Sequence, residues 1–229
     1  VIRVLAIDGA ATAGFCLGGT GAEPRFGSRC FTGSGASGEV VARFSRFLRA
    51  TIEREQPDVI AYEAPYFPMG FRRGPPANAK TLRRLLGLAE IIDAVAWDYR
   101  EVVHRGCYQA TAGEVTSYLT GKSNWGGRAP KKAATIAAAR AWGWAVNTDD
   151  EADACAVWAY AESILDPIAA AQRRARLGLE LALHPPDEDT PQRRTAGRRG
   201  SSTTRPRGAR SHARKANTTA PGEFQFTAG

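Results

Sequence analysis

The sequence predicts an α/β fold with a mixed sheet, on three observations. An apolar run at the start, Val1 to Ile7, ends in Asp8 and is followed by strand-like segments separated by glycines. Further strand-like segments alternate with stretches of helical periodicity. The apolar runs also end in acids rather than in neutral turn residues.

Val1 to Ile7 reads as a buried strand. Gly14 to Leu17 and Arg25 to Phe31 read as two more, separated by Gly18, Gly19, Gly21 and Pro24, so an antiparallel meander is expected. Ser37 to Gln56 has apolar residues at helical spacing (Val40, Val41, Phe44, Phe47, Leu48 and Ile52), with Arg43, Arg46 and Arg49 between them. Pro57 ends that helix, and Asp58 to Glu63 is a strand stopped by Ala64-Pro65. A helix followed by a strand implies a crossover to a parallel partner, the first strand being the natural one.

Tyr66 to Asn78 is rich in glycine, proline, arginine and aromatics and reads as a loop. Ala79 to Tyr99 is helical, Glu101 to Cys107 a fifth strand, Thr111 to Leu119 a short helix, Gly121 to Pro130 a second loop, and Lys131 to Trp142 a helix. Thr148-Asp149-Asp150-Glu151 has the spacing of a capping box and opens a strongly apolar helix to Leu165. Helix resumes from Pro167 to Leu183. The domain organisation expected is an α/β domain over 1–168, a helical extension over 169–184 and a disordered basic tail over 185–229.

The tail reads as disordered because it has almost no apolar residues with which to form a core. From Thr190 onward nine arginines and lysines stand against the single Glu223, which matches the net charge of the whole chain, +8. The remainder is therefore neutral, and the tail should bind polyanions with strong salt dependence. Cys16, Cys30, Cys107 and Cys155 form no Cys-x-x-Cys pair, so reduced thiols of a cytoplasmic protein are expected rather than a zinc site or a disulfide framework. No apolar stretch is long enough for a membrane span, and a charge comes too early for a signal peptide.

Four acids carry the chemistry. Asp8 and Glu63 end apolar strands. Asp150 and Asp153 lie on the first turn of the last buried helix, and at three residues apart, about 300° of rotation, they share a face. Asp149 is read instead as a charge favouring the helix dipole, and Glu151 as part of the capping box. Buried carboxylates are usually paired or bound to metal, and close neighbours raise one another's pKa. Mg²⁺ fits such an oxygen-only site, with Mn²⁺ as a substitute. Two ions there could hydrolyse a phosphodiester without a Ser, Cys or His nucleophile. Taken singly, Asp8 also fits a turn residue at a strand end, and Asp150 a helix N-terminal charge.

Ala6-Ile7-Asp8 with Thr12-Ala13-Gly14-Phe15, then Tyr62-Glu63-Ala64-Pro65, then Asp150-Glu151-Ala152-Asp153-Ala154 resemble the three motifs of the RuvC family of Holliday-junction resolvases. Leu85 to Ala89 and Gly127 to Lys132 also look like this family, and the short form looks most like its bacteriophage and prophage members. The resemblance covers about residues 1–165. It implies an RNase H-like fold, a mixed five-stranded sheet flanked by helices, and a homodimer in the cytoplasm of a bacterial or phage-infected cell. It also implies Mg²⁺-dependent cutting of four-way DNA junctions. Asp8, Glu63, Asp150 and Asp153 fall on the family's metal ligands, Tyr66 on an aromatic that contacts bases near the junction, and Lys131 or Lys132 near a lysine that approaches DNA. A second family lysine is expected around Thr116-Ser117, where neither residue is basic; Lys122 could substitute.

Beyond the resemblance, the loop Tyr66-Phe67-Pro68-Met69-Gly70-Phe71-Arg72-Arg73 combines rings that can stack on bases with arginines that can hold phosphates. Its rings could equally pack on the domain. Lys122 and Arg128 give the second loop the same character. Competing functions are a ribonuclease H acting on RNA–DNA hybrids, an actin-like ATPase and a non-catalytic DNA-binding protein. The ATPase lacks its later glycine-rich phosphate loops here.

Overall fold

The computed structural model describes residues 1–33, 36–65, 79–122 and 125–183, with only the backbone of 79–80 and 179–183. The loop carrying Tyr66, Phe67, Arg72 and Arg73, and the basic tail, lie outside the described residues. Five strands and six helices follow in the order β1 (Arg3–Asp8), β2 (Thr12–Gly19), β3 (Arg25–Cys30), α1 (Ser37–Glu55), β4 (Val59–Glu63), α2 (Ala79–Asp98), β5 (Cys107–Ala110), α3 (Ala112–Thr120), α4 (Arg128–Ala141), α5 (Asp149–Leu165) and α6 (Pro167–Leu183).

The strands form one sheet in the order β3-β2-β1-β4-β5. β1, β2 and β3 pair antiparallel, as the glycine turns predict, and β4 joins β1 in parallel after the α1 crossover. Successive side chains of a strand point to opposite faces. Val4 and Ala6 therefore join the core under α3, α4 and α5, while Leu5 and Ile7 join the core under α1 and α2. A central strand covered on both faces needs apolar residues at every position, which is why Val4 to Ile7 is a continuous run.

Two boundaries differ from the sequence reading by three residues or more, and β2 runs two residues further at each end, through Gly18 and Gly19. The fifth strand is Cys107–Ala110, not Glu101 to Cys107. Tyr99 to Gly106 is a series of turns held by Val102 N to Tyr99 O at 2.8 Å and Gly106 N to Val103 O at 2.9 Å. Val103 is buried there as a plug in the α1/α2 core, so its apolar character reflects burial in a turn rather than a strand. Gly106, at φ 71°, then turns the chain into β5. The helix expected from Lys131 begins three residues earlier, at Arg128. Pro130 is no obstacle because the first turn makes no demand on its missing N–H.

α5 lies across β1 and β2 with a face of small residues, including Ala152, Cys155 and Ala159, all buried. Its contact with β2 is closest at Gly14, where an added Cβ would stand 1.8 Å from the carbonyl oxygen of Asp150. At its other end, Glu162 is fully buried and accepts hydrogen bonds from Arg173 Nε at 3.0 Å and Gly21 N at 2.8 Å. Arg173, on α6, also donates to Ala22 O at 2.6 Å and Glu23 Oε1 at 2.9 Å, and its guanidinium lies 5.0 Å from the centre of the Trp158 ring. α6 is thereby fastened to the β2–β3 turn.

Candidate active site

Asp8 and Glu63 end adjacent parallel strands at the same level, since Ile7 stands opposite Tyr62. Alternation from Ala6 and Ala61, which face α5, turns both carboxylates toward that helix. Asp8 is also paired with Gly14 across the β1–β2 ladder. Because Gly14 has no side chain, the first turn of α5 settles directly over this pair and brings Asp150 and Asp153 to the same place.

The first turn of α5 is fixed by the expected capping box. Glu151 N donates to Thr148 Oγ1 at 3.2 Å, and the Glu151 carboxylate accepts from Thr148 N at 3.3 Å and Asn147 N at 2.8 Å. Three elements thus contribute to one cavity of about 290 Å³, lined by Asp8, Glu63, Asp150 and Asp153. Tyr62 and Leu85, Ala89 and Ile92 of α2 form its apolar wall, and Arg128, Lys131 and Lys132 of α4 its basic rim.

The electrostatics are those of crowded, half-buried acids. Burial pushes the Asp8 carboxyl well above the usual carboxylate range, and Asp153, Glu63 and Asp150 push it further, against the pull of Lys132. Burial also raises Glu63, opposed by Lys131 and reinforced by Asp153. Asp153 is raised by burial against the pull of Lys131 and Lys132, and Asp150 by burial against Lys132. None of the four carboxylates accepts a hydrogen bond from another described residue.

An all-carboxylate donor set with raised proton affinity and no hydrogen-bond partner among the described residues fits a hard divalent cation such as Mg²⁺. The side chains line the cavity without closing on one another: among the described residues, no three His, Cys, Asp or Glu side chains are gathered into a ready-made metal cage.

The other expected residues divide clearly. Arg128, Lys131 and Lys132 line the cavity. Lys122 does not; its ammonium lies 4.9 Å from the centre of the Trp125 ring, in the α3–α4 connection. Thr116, where a lysine was expected, is buried in α3 and donates to Ala112 O at 2.7 Å, while Ser117 is exposed. Asp149 has a partner the sequence did not reveal, an ion pair with Lys132.

A mixed five-stranded sheet in this order, covered by helices on both faces, is an RNase H-like fold. Among solved structures the chain is similar to RuvC of Thermus thermophilus in complex with a Holliday junction substrate, at 16% identity and a TM-score of 0.51, covering 78% of this chain and 97% of that one. A second Thermus thermophilus RuvC structure aligns at 19% identity and a TM-score of 0.47, over 77% of this chain and 97% of that one. The yeast mitochondrial Holliday junction resolvase Ydc2 aligns at 16% and 0.45, over 80% and 84%. No family model and no curated protein matches the sequence. Among the described residues, no helix is long and apolar enough to cross a membrane.

Proposed function

We propose that this chain is a divalent-metal-dependent endonuclease that resolves four-way DNA junctions by phosphodiester hydrolysis. The observation that carries the reading is the convergence of Asp8, Glu63, Asp150 and Asp153, from two strands and a helix, on one cavity without a hydrogen-bond partner among the described residues. Acids kept for structure are paired inside the protein; acids left unpaired at a cavity with a basic rim are available to a cation and a phosphate.

In this reading the four carboxylates hold two Mg²⁺ ions, for which Mn²⁺ substitutes. The chemistry Mg²⁺ supplies there when bound is activation of water and neutralisation of charge at the leaving oxygen. Arg128 and Lys131 hold the phosphodiester at the rim, and the apolar wall of Leu85, Ala89 and Ile92 limits bulk water on the far side. Tyr66, three residues beyond Glu63, stacks on a base exposed where duplex arms separate, and Phe67, Arg72 and Arg73 extend that contact. The working form is a homodimer, one protomer for each of two symmetric strands. The tail from 185 adds affinity for DNA without adding to the core.

The test is cleavage of a synthetic four-way junction beside a linear duplex and an RNA–DNA hybrid, with Mg²⁺ and with EDTA. Junction cutting that needs Mg²⁺ is expected, abolished in Asp8→Asn and Asp153→Asn while junction binding persists. Near-normal cutting by either variant removes the assignment, and preferential cutting of the hybrid moves the substrate to a ribonuclease H. Tyr66→Ala should reduce junction cutting without lowering the melting temperature, and Tyr66→Phe should be close to the parent. Deletion of 185–229 should leave a folded enzyme whose DNA binding is weaker and less sensitive to salt.

A further inference from the structure

Lys132 lines the cavity together with Asp8, Asp150 and Asp153, three ionisable acids with no hydrogen-bond partner among the described residues. An ammonium in that position would be expected to settle on one of them. It pairs instead with Asp149, which does not line the cavity. Asp149 is the first residue of α5, on a turn that the Thr148–Glu151 capping box holds in place. Lys132 and Arg128 are four residues apart on α4 and share a face, so this contact also sets how the basic rim stands over the acids.

We propose that Asp149 is a positioning residue that draws the Lys132 ammonium off the cavity carboxylates. Those oxygens stay available to a divalent cation, while Lys132 faces an incoming phosphate. The inference rests on reading the cavity as a divalent-metal nuclease site. A helix-dipole role alone would make Asp149 interchangeable with any acid in that turn and independent of Lys132. The ion pair makes the two interdependent. Without the Asp149 charge, the nearest anions for Lys132 are Asp8, Asp150 and Asp153, and the ammonium becomes an internal competitor of the metal.

The experiment is calorimetric titration of the full-length protein with Mn²⁺, for the parent, Asp149→Asn, Lys132→Met and the double variant. Asp149→Asn should weaken Mn²⁺ binding roughly tenfold in the parent background and hardly at all in the Lys132→Met background, a coupling of the size adjacent charged partners show. Asp149→Glu should restore binding, since it restores the anion. Lys131→Met serves as a control: it removes a neighbouring rim charge that has no part in the pair, so the Asp149→Asn loss should persist in that background. An equal loss with and without Lys132 would make Asp149 a through-space charge and overturn the positioning role, as would no loss at all. If Asp8→Asn and Asp153→Asn leave Mn²⁺ binding of the parent unchanged, the failure lies in the metal-site reading and not in the role of Asp149.

Discussion

Helix α5 carries acids at both ends, one buried and two half-buried, and the protein treats them in opposite ways. Glu162, toward the C-terminal end, is 0% exposed and fully engaged by Arg173 and Gly21 N. Asp150 and Asp153, at the N-terminal end, face Asp8 and Glu63 across the cavity, and no described residue donates a hydrogen bond to any of the four. Both ends bear a desolvation cost; at the first it is offset by hydrogen bonds and an ion pair, while at the second the charges of Lys131 and Lys132 oppose it without a hydrogen bond from a described residue. Buried charge that the fold has paired serves the fold. Charge at a cavity that no described residue meets with a hydrogen bond is, on the function proposed above, kept for a cation that arrives from outside.

The comparison can be broken first at its structural end. Arg173→Met leaves Glu162 buried without its cation and should cost about 3–5 kcal/mol in urea denaturation. Adding Glu162→Gln should recover much of that loss, because it removes the uncompensated charge. A loss under about 1 kcal/mol would show that Glu162 is not held as a buried ion pair.

The second test concerns how the two ends are placed. Gly14→Ala puts a methyl group 1.8 Å from the Asp150 carbonyl oxygen, so the first turn of α5 must lift from β2. Cutting should fall about a hundredfold, the scale of a misplacement of about an ångström in a catalytic group. Stability should fall by about 1–3 kcal/mol, as in other overpacked sites. Gly9→Ala is the control, since nothing lies within 4 Å of its added Cβ. Equal activity for the two variants would remove the close contact as the device that places Asp150.

A third prediction separates function from stability at the N-terminal end. Burial first, and the neighbouring acids next, raise the folded-state pKa of Asp8 above its unfolded value. Such a group contributes stability that is fully present below the unfolded pKa and lost as pH rises through the folded one. Above the unfolded pKa, Asp8 therefore weakens the metal-free fold. Asp8→Asn should raise the metal-free melting temperature by roughly 2–4 °C, about what 1 kcal/mol produces in a domain of this size. The gain should vanish in acid, below the ordinary carboxylate range. A variant that melts lower at neutral pH would contradict the electrostatic picture. An effect of similar size is expected of Thr148→Ala, a loss of about 1 kcal/mol from the lost cap, measured by urea denaturation.

The sequence was most legible where burial and periodicity agree. β1 and β4 are apolar because both faces of the sheet are covered, and Asp8 and Glu63 stand out for ending such runs. The Thr148–Glu151 cap follows from its spacing and is present with both of its hydrogen bonds. The fifth strand was misplaced because an apolar pair, Val102-Val103, has the same appearance in a buried turn as in a strand. Glu162 was overlooked, although an acid amid Ala159, Ala161 and Ile164 carries the same signal that singled out Asp153. Its partner, 11 positions away on the next helix, has no local signature. The pairing of Asp149 with Lys132 was likewise illegible, since it depends on how α4 meets α5.

The clamp between α6 and the first hairpin has a bearing on timing. Arg173 reaches Glu23 across 150 positions of sequence, and Glu162 reaches Gly21 across 141. During synthesis the strands bearing Asp8 and Glu63 emerge long before Asp150 and Asp153. At about 5–20 residues per second, the nascent chain holds half of its acids for several seconds before the helix that completes the set leaves the ribosome. The clamp that secures that helix comes later still. The candidate site is in this way assembled with its helix fitted last.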